Sequence, residues 1–344
     1  MSATIRDVAK AAGVSPSTVS RVLNKTGQIS QETCQRIYEA MRELEYVPND
    51  VARSFANGSA HTIAIVINVS DAQAYSNAFF NKTVFGIETA AHQRGYNLMI
   101  TNCAAGADEM ASVERLIKSK KIDGIVLPVS LVQPSFLKTL DQNRFPHVLL
   151  GRPSMDAVAG NWVDIENEQA GVMAARHMLE NGYRRIAFLS NGEHEVFNQD
   201  RIAGYRKALE QAAACRDDRW ICHAESSLEA GKKAISELLS LREKPDGVIC
   251  SDEKLALAAT RTAAAAGLRV PEDFGVLCFD NTSVTELAEP SISSVDVDTY
   301  ELGRLAADNL IRQIEKPDVG AWHMQLSTHI IRRRSTDGKG GASD

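Results

Sequence analysis

The sequence predicts a small α-helical head followed by an α/β body of two lobes, each built on a doubly wound parallel sheet. At 344 residues, the chain is too long for one small domain. In the first sixty residues, apolar side chains recur at helical spacing only. Beyond them, short apolar runs alternate with amphipathic stretches, a pattern typical of parallel sheets covered by helices on both faces.

The composition excludes some classes of protein and leaves others open. Apolar residues make up 44% and charged residues 24% of the chain, as in ordinary globular proteins. The net charge of −6 argues against a chain coated in nucleic acid. The first sixty residues carry seven Lys and Arg against six Asp and Glu, and the remainder carries 31 against 38. A basic face on an acidic protein can still meet phosphates, so charge alone leaves DNA binding open.

The cysteines and the apolar runs indicate a cytoplasmic protein. The six cysteines are scattered, without a Cys-x-x-Cys pair, which is typical of free thiols in a reducing compartment. The start of the chain lacks the apolar region of a secretory signal, and the apolar run at residues 62–69 is too short to span a bilayer. No membrane partner is expected.

The familiar catalytic and cofactor motifs are absent from the sequence. It contains no G-x-G-x-x-G, no Walker loop, no G-x-S-x-G and no H-E-x-x-H. Glu193, His194 and Glu195 are adjacent and cannot face one point, so they do not predict a metal site. We therefore expect a protein that is not an enzyme and that binds neither a cofactor nor a metal.

Three helices are expected in the head. Thr4 and the acidic residue three positions later have the spacing of a capping box, and the helix that they open ends at Gly13, which suits a positive φ. Ser15 is expected to cap a second helix whose first residue is Pro16, where a missing N–H costs nothing. A third helix is expected after Ser30.

The first two helices have the pattern of a helix-turn-helix. Ala9, Gly13 and Val19 supply a small residue at the crossing, a tight turn and a β-branched residue that fills the crossing. The outer face of the second helix carries short hydroxyl side chains and Arg21, which suit phosphates and a guanine edge in the major groove. The same apolar pattern also fits a three-helix bundle that binds nothing, so the pattern alone leaves both interpretations open.

The body shows repeated strand–helix units. Seven apolar runs predict strands, and these are Thr62–Val69, Tyr96–Thr101, Gly124–Leu127, His147–Leu150, Arg185–Leu189, Gly247–Cys250 and Gly275–Phe279. Helical stretches lie between them, for example Phe80–Arg94, Asn167–Gly182, Gln199–Ala213, Asp252–Ala266 and Tyr300–Ile314. These units suffice for two sheets. Ligands bind such sheets at the carboxyl ends of the strands, so a cleft between two lobes is the expected binding site.

Two stretches of the head resemble the LacI/GalR family of bacterial transcriptional regulators. They are residues 4–24 (TIRDVAKAAGVSPSTVSRVLN) and residues 46–55 (YVPNDVARSF). The resemblance implies a helix-turn-helix DNA-binding domain at residues 1–47 and a hinge helix and linker at residues 48–60. The DNA-binding residues that it implies are Thr4, Ser15, Pro16, Ser17, Thr18, Ser20, Arg21, Asn24, Ser30, Asn49, Ala52 and Phe55, of which Pro16, Ser17 and Arg21 hold the base-reading positions.

Phe55 departs from the family pattern. In the family a leucine from each hinge wedges between the central base pairs of the operator, and Phe55 occupies that position here. A phenylalanine can also enter a base step, so the mode of binding is expected to persist with a different central-step preference and bend. Taken without the resemblance, Phe55 also fits a core contact.

The body resembles the same family, whose effector domain is similar to a periplasmic sugar-binding protein. Matching segments include residues 86–88, 148–153, 200–205 and 279–281. The resemblance implies an effector-binding and dimerisation domain at residues 61–334. Its first lobe is expected at about 61–162 and 293–319, its second lobe at about 163–292 and 320–334, and a flexible tail at 335–344.

Six residues are expected to bind the effector, namely Phe79, Phe80, Arg201, Ser251, Asp252 and Asp280. Arg201 and Asp280 match the family's effector-binding arginine and aspartate and supply directional partners for sugar hydroxyls. Phe79 and Phe80 suit stacking on an apolar sugar face, although one of them fits the core equally well. The family often has Asn where Ser251 stands, and Asp252 also fits the N-cap of the following helix.

The resemblance implies a repressor that binds a palindromic DNA operator as a homodimer, because a two-fold operator needs a two-fold protein. The effector is expected to be a small sugar-like ligand. A regulator that depends on a purine or another corepressor is the alternative, and a solute-binding protein for transport is a third interpretation. Some relatives form tetramers through a C-terminal leucine-rich helix, but residues 335–344 contain no leucine, so a dimer is expected.

Overall fold

The computed structural model divides into two compact units, Met1–His61 and Thr62–Asp344. The structure describes residues 3–23, 27–46, 58–67, 78–103, 110–154, 160–318 and 320–338. Within these ranges no helix is long and apolar enough to cross a membrane.

The described residues of the head form three helices, α1 (Ile5–Ala12), α2 (Pro16–Leu23) and α3 (Gln31–Glu43). The predicted capping box is confirmed, since the backbone N–H of Thr4 donates to the Asp7 carboxylate at 2.9 Å. The predicted turn is also confirmed, because Gly13 has a φ of 66°. The three helices share one small core, which consists of Val8, Ala9, Ala12, Val19, Val22, Ile37 and Ala40.

The described residues of the first lobe form a parallel sheet of six strands. In spatial order the strands are β11 (His323–Leu326), β5 (Trp162–Ile165), β4 (His147–Leu150), β3 (Gly124–Pro128), β1 (Thr62–Ile67) and β2 (Asn97–Asn102). Most of the central strand residues are fully buried, because helices cover both faces of the sheet.

The second lobe contains another six-stranded sheet among the described residues. In spatial order its strands are β12 (His329–Ile331), β10 (Ser293–Asp296), β9 (Gly275–Phe279), β8 (Gly247–Cys250), β6 (Ile186–Ser190) and β7 (Ile221–His223). The edge strand β12 pairs antiparallel with β10, and the other pairs are parallel. The predicted fold class is confirmed, with this one antiparallel edge added.

Helices of the body alternate with the strands, as in doubly wound sheets. Those of the first lobe are α4 (Ala78–Gln93), α5 (Ala111–Lys118), α6 (Pro134–Gln142) and α12 (Thr299–Glu315). Those of the second lobe are α7 (Asn167–Glu180), α8 (Val196–Gln211), α9 (Leu228–Ser240), α10 (Glu253–Ala265) and α11 (Ser283–Leu287).

One helix pair in each lobe crosses at backbone contact, and glycines make this approach possible. In the first lobe α4 meets α12 through Gly86 and Gly303, and in the second lobe α7 meets α8 through Gly171 and Gly204. A Cβ added at Gly171 would overlap the carbonyl oxygen of Arg201. The position of Arg201 therefore depends on this close crossing.

In the part of the body that the structure describes, the chain passes between the lobes three times, after Ile165, after Asp296 and after Leu326. The sequence places these crossings near residues 162, 292 and 320, a few residues earlier than the structure does. The shift arises because β5, β10 and β11 are short strands that complete a sheet immediately before each crossing.

The expected flexible tail at 335–344 is wrong for its first residues. Ser335 is buried, and its hydroxyl donates to the carbonyl of Val276 at 2.6 Å. The hydroxyl of Thr336 lies 2.8 Å from the imidazole of His177, also buried. Polar partners inside the second lobe thus hold a segment whose composition suggests disorder. Residues 339–344 lie outside the described residues.

Candidate functional site

The exposed face of α2 brings together the expected base-reading residues. Pro16, Ser17 and Arg21 are exposed, whereas Val19 and Val22 of the same helix are buried against α1 and α3. The helical period places Ser17 and Arg21 four residues apart and therefore on one face. This face presents hydroxyl groups and a guanidinium to the solvent, which are the groups that contact phosphates and guanine edges.

The hydroxyl groups of Ser15, Ser17 and Thr18 lie together at the start of α2. The Ser15 Oγ accepts from the backbone N–H of Thr18 at 3.2 Å and lies 2.7 Å from the Ser17 hydroxyl. Thr4 and Ser30 are exposed, and Ser20 is half-buried. The predicted helix cap at Ser15 is present. The remaining expected DNA-binding residues, Asn24, Asn49, Ala52 and Phe55, lie outside the described residues.

Arg201 is a buried cation at the cleft side of the second lobe. It lies in the second turn of α8 with only 6% of its surface exposed. Its guanidinium carbon is 4.1 Å from the ring centre of Phe279, and its Nε donates to the Asn167 side chain at 2.9 Å. Burial lowers the pKa of Arg201, while the nearby carboxylates of Asp280 and Asp164 oppose that shift.

Asp280 follows β9 directly and supplies an acceptor. Its φ of 72° is a left-handed conformation that Asp and Asn tolerate better than most residues. The Oδ1 atom is buried without a hydrogen-bond partner among the described residues. Burial raises the pKa of Asp280 to about 6, and the Arg201 guanidinium opposes this rise. A ligand hydroxyl or N–H would satisfy this oxygen.

Ser251 and Asp252 lie at the carboxyl end of β8, and both have structural partners. The Ser251 Oγ accepts from the backbone N–H of Asn191 at 2.7 Å. Asp252 caps α10, with Oδ1 accepting from the N–H groups of Lys254 and Leu255. Its other oxygen, Oδ2, is buried without a partner among the described residues. The N-cap interpretation of Asp252 is confirmed, and one carboxylate oxygen stays available.

A pocket between the lobes includes some of the expected effector residues and omits others. The residues that line it are Phe79, Lys82, Asp280, Asn281, Thr282, Val297 and Thr299. Phe79 and Asp280 thus come together from different lobes. Phe80 packs against the core of the first lobe, as Phe79 also does. Phe80, Arg201, Ser251 and Asp252 are not among the lining residues.

Sequence reasoning missed several lining residues. Lys82 stands three positions after Phe79 on α4, so helical spacing alone places it on the same face. Its Nζ donates across the cleft to the carbonyl of Asn281 at 3.4 Å. Thr299 opens α12, and its buried hydroxyl lacks a hydrogen-bond partner among the described residues. Only the return of the chain to the first lobe brings Thr299 to the cleft.

The fold and the two sites define a class of protein, namely regulators in which a helix-turn-helix head precedes a two-lobed ligand-binding body. Comparison with known families supports both parts. A model described as "Bacterial regulatory proteins, lacI family" matches residues 4–49, and one described as "Periplasmic binding protein-like domain" matches residues 175–336.

Individual relatives match over almost the whole chain. The transcriptional regulator CelR of Thermobifida fusca is 32% identical over 337 residues, which cover 96% of this chain and 98% of CelR. The repressor PurR of Aliivibrio salmonicida is 28% identical over 338 residues, which cover 97% and 98% of the two chains. A solved complex of CelR with cellobiose superimposes with a TM-score of 0.74 at 30% identity. The match covers 97% of this chain and 99% of the CelR chain. The chain therefore belongs to the lacI family of bacterial regulatory proteins and is a DNA-binding transcriptional regulator.

Proposed function

We propose that this protein is a repressor that binds a palindromic operator as a homodimer and is controlled by a small sugar-like effector in the cleft between its lobes. The observation that carries the proposal is a buried cation, Arg201, close to a buried acceptor, Asp280, that lines the pocket between the lobes. Arg201 lies 4.1 Å above the ring of Phe279, and Asp280, the residue after Phe279, has an oxygen without a hydrogen-bond partner among the described residues.

The polar groups of the cleft favour a neutral polyol. Asp280 and Asp252 each contribute a buried oxygen that lacks a hydrogen-bond donor among the described residues. A sugar hydroxyl donates to such an oxygen and accepts from a guanidinium such as that of Arg201. The ring of Phe79 lines the pocket and suits the apolar face of a sugar. The relative CelR has been solved with cellobiose, which makes cellobiose the first ligand to test.

A planar heterocycle such as a purine is the second candidate. Phe79 supplies an aromatic face in the pocket, and Asp280 supplies an acceptor for a ring N–H. A sugar phosphate fits less well, since it would bring a further negative charge towards Asp280 and Asp252.

Exposed apolar side chains support a homodimer. Leu287 on α11 is 81% exposed, Phe85 on α4 is 64% exposed and Ile100 on β2 is 49% exposed. Phe85 also packs against the Tyr300 ring with the ring centres 5.7 Å apart. A contiguous exposed apolar surface, such as Phe85 forms with Tyr300, is the kind that marks an association surface, and a two-fold dimer would match a palindromic operator.

A thermal-shift screen of cellobiose, other sugars, sugar phosphates and purines tests the effector proposal. Arg201→Ala is expected to abolish the rise in Tm caused by the ligand that stabilises the wild type, because the variant removes the cleft cation. Lys207→Gln on the same helix is the matched control. An unchanged shift in both Arg201→Ala and Asp280→Ala would contradict the cleft assignment.

The hinge proposal rests on Phe55 as the minor-groove wedge. Phe55→Ala is expected to weaken operator binding about tenfold or more, because the bent DNA loses its inserted side chain. The ligand-induced Tm shift should persist, since the body is untouched. Fluorescence anisotropy with a duplex selected from a random library measures this. Tyr38→Ala is the control, since it removes another aromatic ring of the head, one that is 47% exposed. Equal operator affinity of Phe55→Ala and the wild type would refute the role of Phe55 as a wedge.

A further inference from the structure

An ion pair joins the two lobes beside the cleft. Arg152 lies in the loop after β4 of the first lobe, and Asp200 lies on α8 of the second lobe. The Arg152 Nη2 donates to both carboxylate oxygens of Asp200, at 2.7 and 2.6 Å. Only about a quarter of each side chain is exposed. A partly shielded pair of this kind is screened less by solvent than a surface pair.

The backbone of the same residue begins a chain of hydrogen bonds. The N–H of Arg152 donates to the Oδ2 of Asp164 at 2.8 Å. Asp164 is buried at the carboxyl end of the first sheet, and its Oδ1 accepts from the side chain of Asn167 at 3.1 Å. Asn167 is the first residue of α7, so this chain crosses from the first lobe to the second.

The chain of hydrogen bonds ends at the cleft cation. The Oδ1 of Asn167 accepts from the Nε of Arg201 at 2.9 Å. Asp200 and Arg201 are neighbours on α8, and both are therefore connected to Arg152. The side chain of Arg152 holds Asp200, and its backbone holds Arg201 through Asp164 and Asn167.

We propose that Arg152, Asp164 and Asn167 are positioning residues that form an interlobe latch and orient the Arg201 guanidinium in the cleft. Separation of the lobes breaks the Arg152–Asp200 pair and withdraws the Arg152 N–H from Asp164, which releases Arg201. The orientation of Arg201 is then coupled to lobe closure, and a ligand that needs Arg201 favours the closed lobes. This inference rests on the proposed function, in which Arg201 binds the effector.

The first test follows the Arg201 Nε–H by NMR in the ligand-free full chain. Its cross-peak is assigned by its loss in Arg201→Lys. In the wild type we expect slow exchange with solvent, because the N–H is buried and bonded to Asn167. Asp200→Asn and Asp164→Asn should each accelerate this exchange about tenfold or more, corresponding to the loss of a hydrogen bond to a charged group. A purely structural ion pair would leave this signal unchanged.

A matched control lies on the same helix. Lys207 on α8 pairs with Glu168 on α7 at 2.7 Å within the second lobe, so Lys207→Gln removes an ion pair without touching the latch. The charge swap Arg152→Glu with Asp200→Arg should restore slow exchange relative to either single variant. Unchanged exchange in Asp200→Asn, equal acceleration in Lys207→Gln, or a swap that rescues nothing would each overturn the proposal. If Asp164→Asn does not fold, the Asp200→Asn and charge-swap results decide.

The second test measures the distance between the lobes. Spin labels carried by a ketone-bearing unnatural residue replace the exposed Lys138 on α6 and Glu229 on α9. Asp200→Asn should broaden the distance distribution towards longer values, and Lys207→Gln should not. Identical distributions in wild type and Asp200→Asn would show that the pair does not hold the lobes. Neither test uses a ligand or DNA, so a failure of the latch is distinguishable from a failure of the proposed function.

Discussion

Gly171→Ala is expected to destabilise the body by about 3 kcal/mol or more, at the upper end of the cost of overpacking. The added methyl group would overlap the carbonyl oxygen of Arg201, because α7 and α8 cross at backbone contact. The helices must separate, and Arg201 moves with α8. A lower urea midpoint should therefore accompany a smaller ligand-induced Tm shift.

Gly320→Ala is the matched control for this substitution. A Cβ at Gly320 meets no described atom within 4 Å, and its φ is not in the left-handed region. We expect the free energy of unfolding of this variant to lie within about 0.5 kcal/mol of that of the wild type. If Gly171→Ala were equally stable, the close crossing of α7 and α8 would not be required, and the placement of Arg201 would need another explanation.

Asp280→Asn is expected to stabilise the ligand-free protein at pH 8 and to have little effect near pH 4. Burial raises the pKa of Asp280 from 3.8 to about 6 in the folded state, so the folded protein binds this proton more tightly than the unfolded chain. Stability contributed by the protonated group is therefore complete below about pH 4 and is lost as the pH rises through about 6. A pKa shift of this size lowers the free energy of unfolding by about 3 kcal/mol at high pH, relative to low pH.

The asparagine variant removes the ionisation and keeps the shape and the left-handed backbone of Asp280. Urea unfolding at several pH values measures the effect, with Asp218→Asn, at an exposed carboxylate, as the control. The Asp280→Asn variant should also lose most of the ligand-induced Tm shift, because the charged acceptor is gone. A variant that is less stable than the wild type at pH 8, or a difference that does not depend on pH, would contradict this account of Asp280.

The strands with continuous apolar runs were predictable from the sequence, whereas several short strands with polar side chains were not. Each of the seven apolar runs overlaps a strand, and most of these strands are covered on both faces and therefore read as continuously apolar. By contrast, Ser293–Asp296 contains two serines and an aspartate, and His323–Leu326 is mostly exposed. Three or four residues with polar side chains carry no periodic signal. Their pairing depends on neighbouring strands that lie far away in the sequence.

Some residues of the candidate site were also predictable from the sequence, and others were not. The resemblance to the family supplied Arg201 and Asp280, and helix-cap chemistry supplied the role of Asp252. Thr299 could not be found from the sequence, because it reaches the cleft only through the return of the chain to the first lobe. The link from Arg152 to Arg201 was also hidden, since it passes through side-chain hydrogen bonds between four separate elements.

One titration tests the central claim, control of operator binding by a ligand in the cleft, most directly. A labelled palindromic duplex, selected from a random library, is titrated with the full chain at several salt concentrations, with and without the ligand found in the thermal-shift screen. We expect one dimer per duplex, a steep fall in affinity with salt, and a change of about tenfold or more caused by the ligand. Arg201→Ala should bind the duplex and ignore the ligand. A flat salt dependence, or a wild-type affinity that the bound ligand leaves unchanged, would contradict the account.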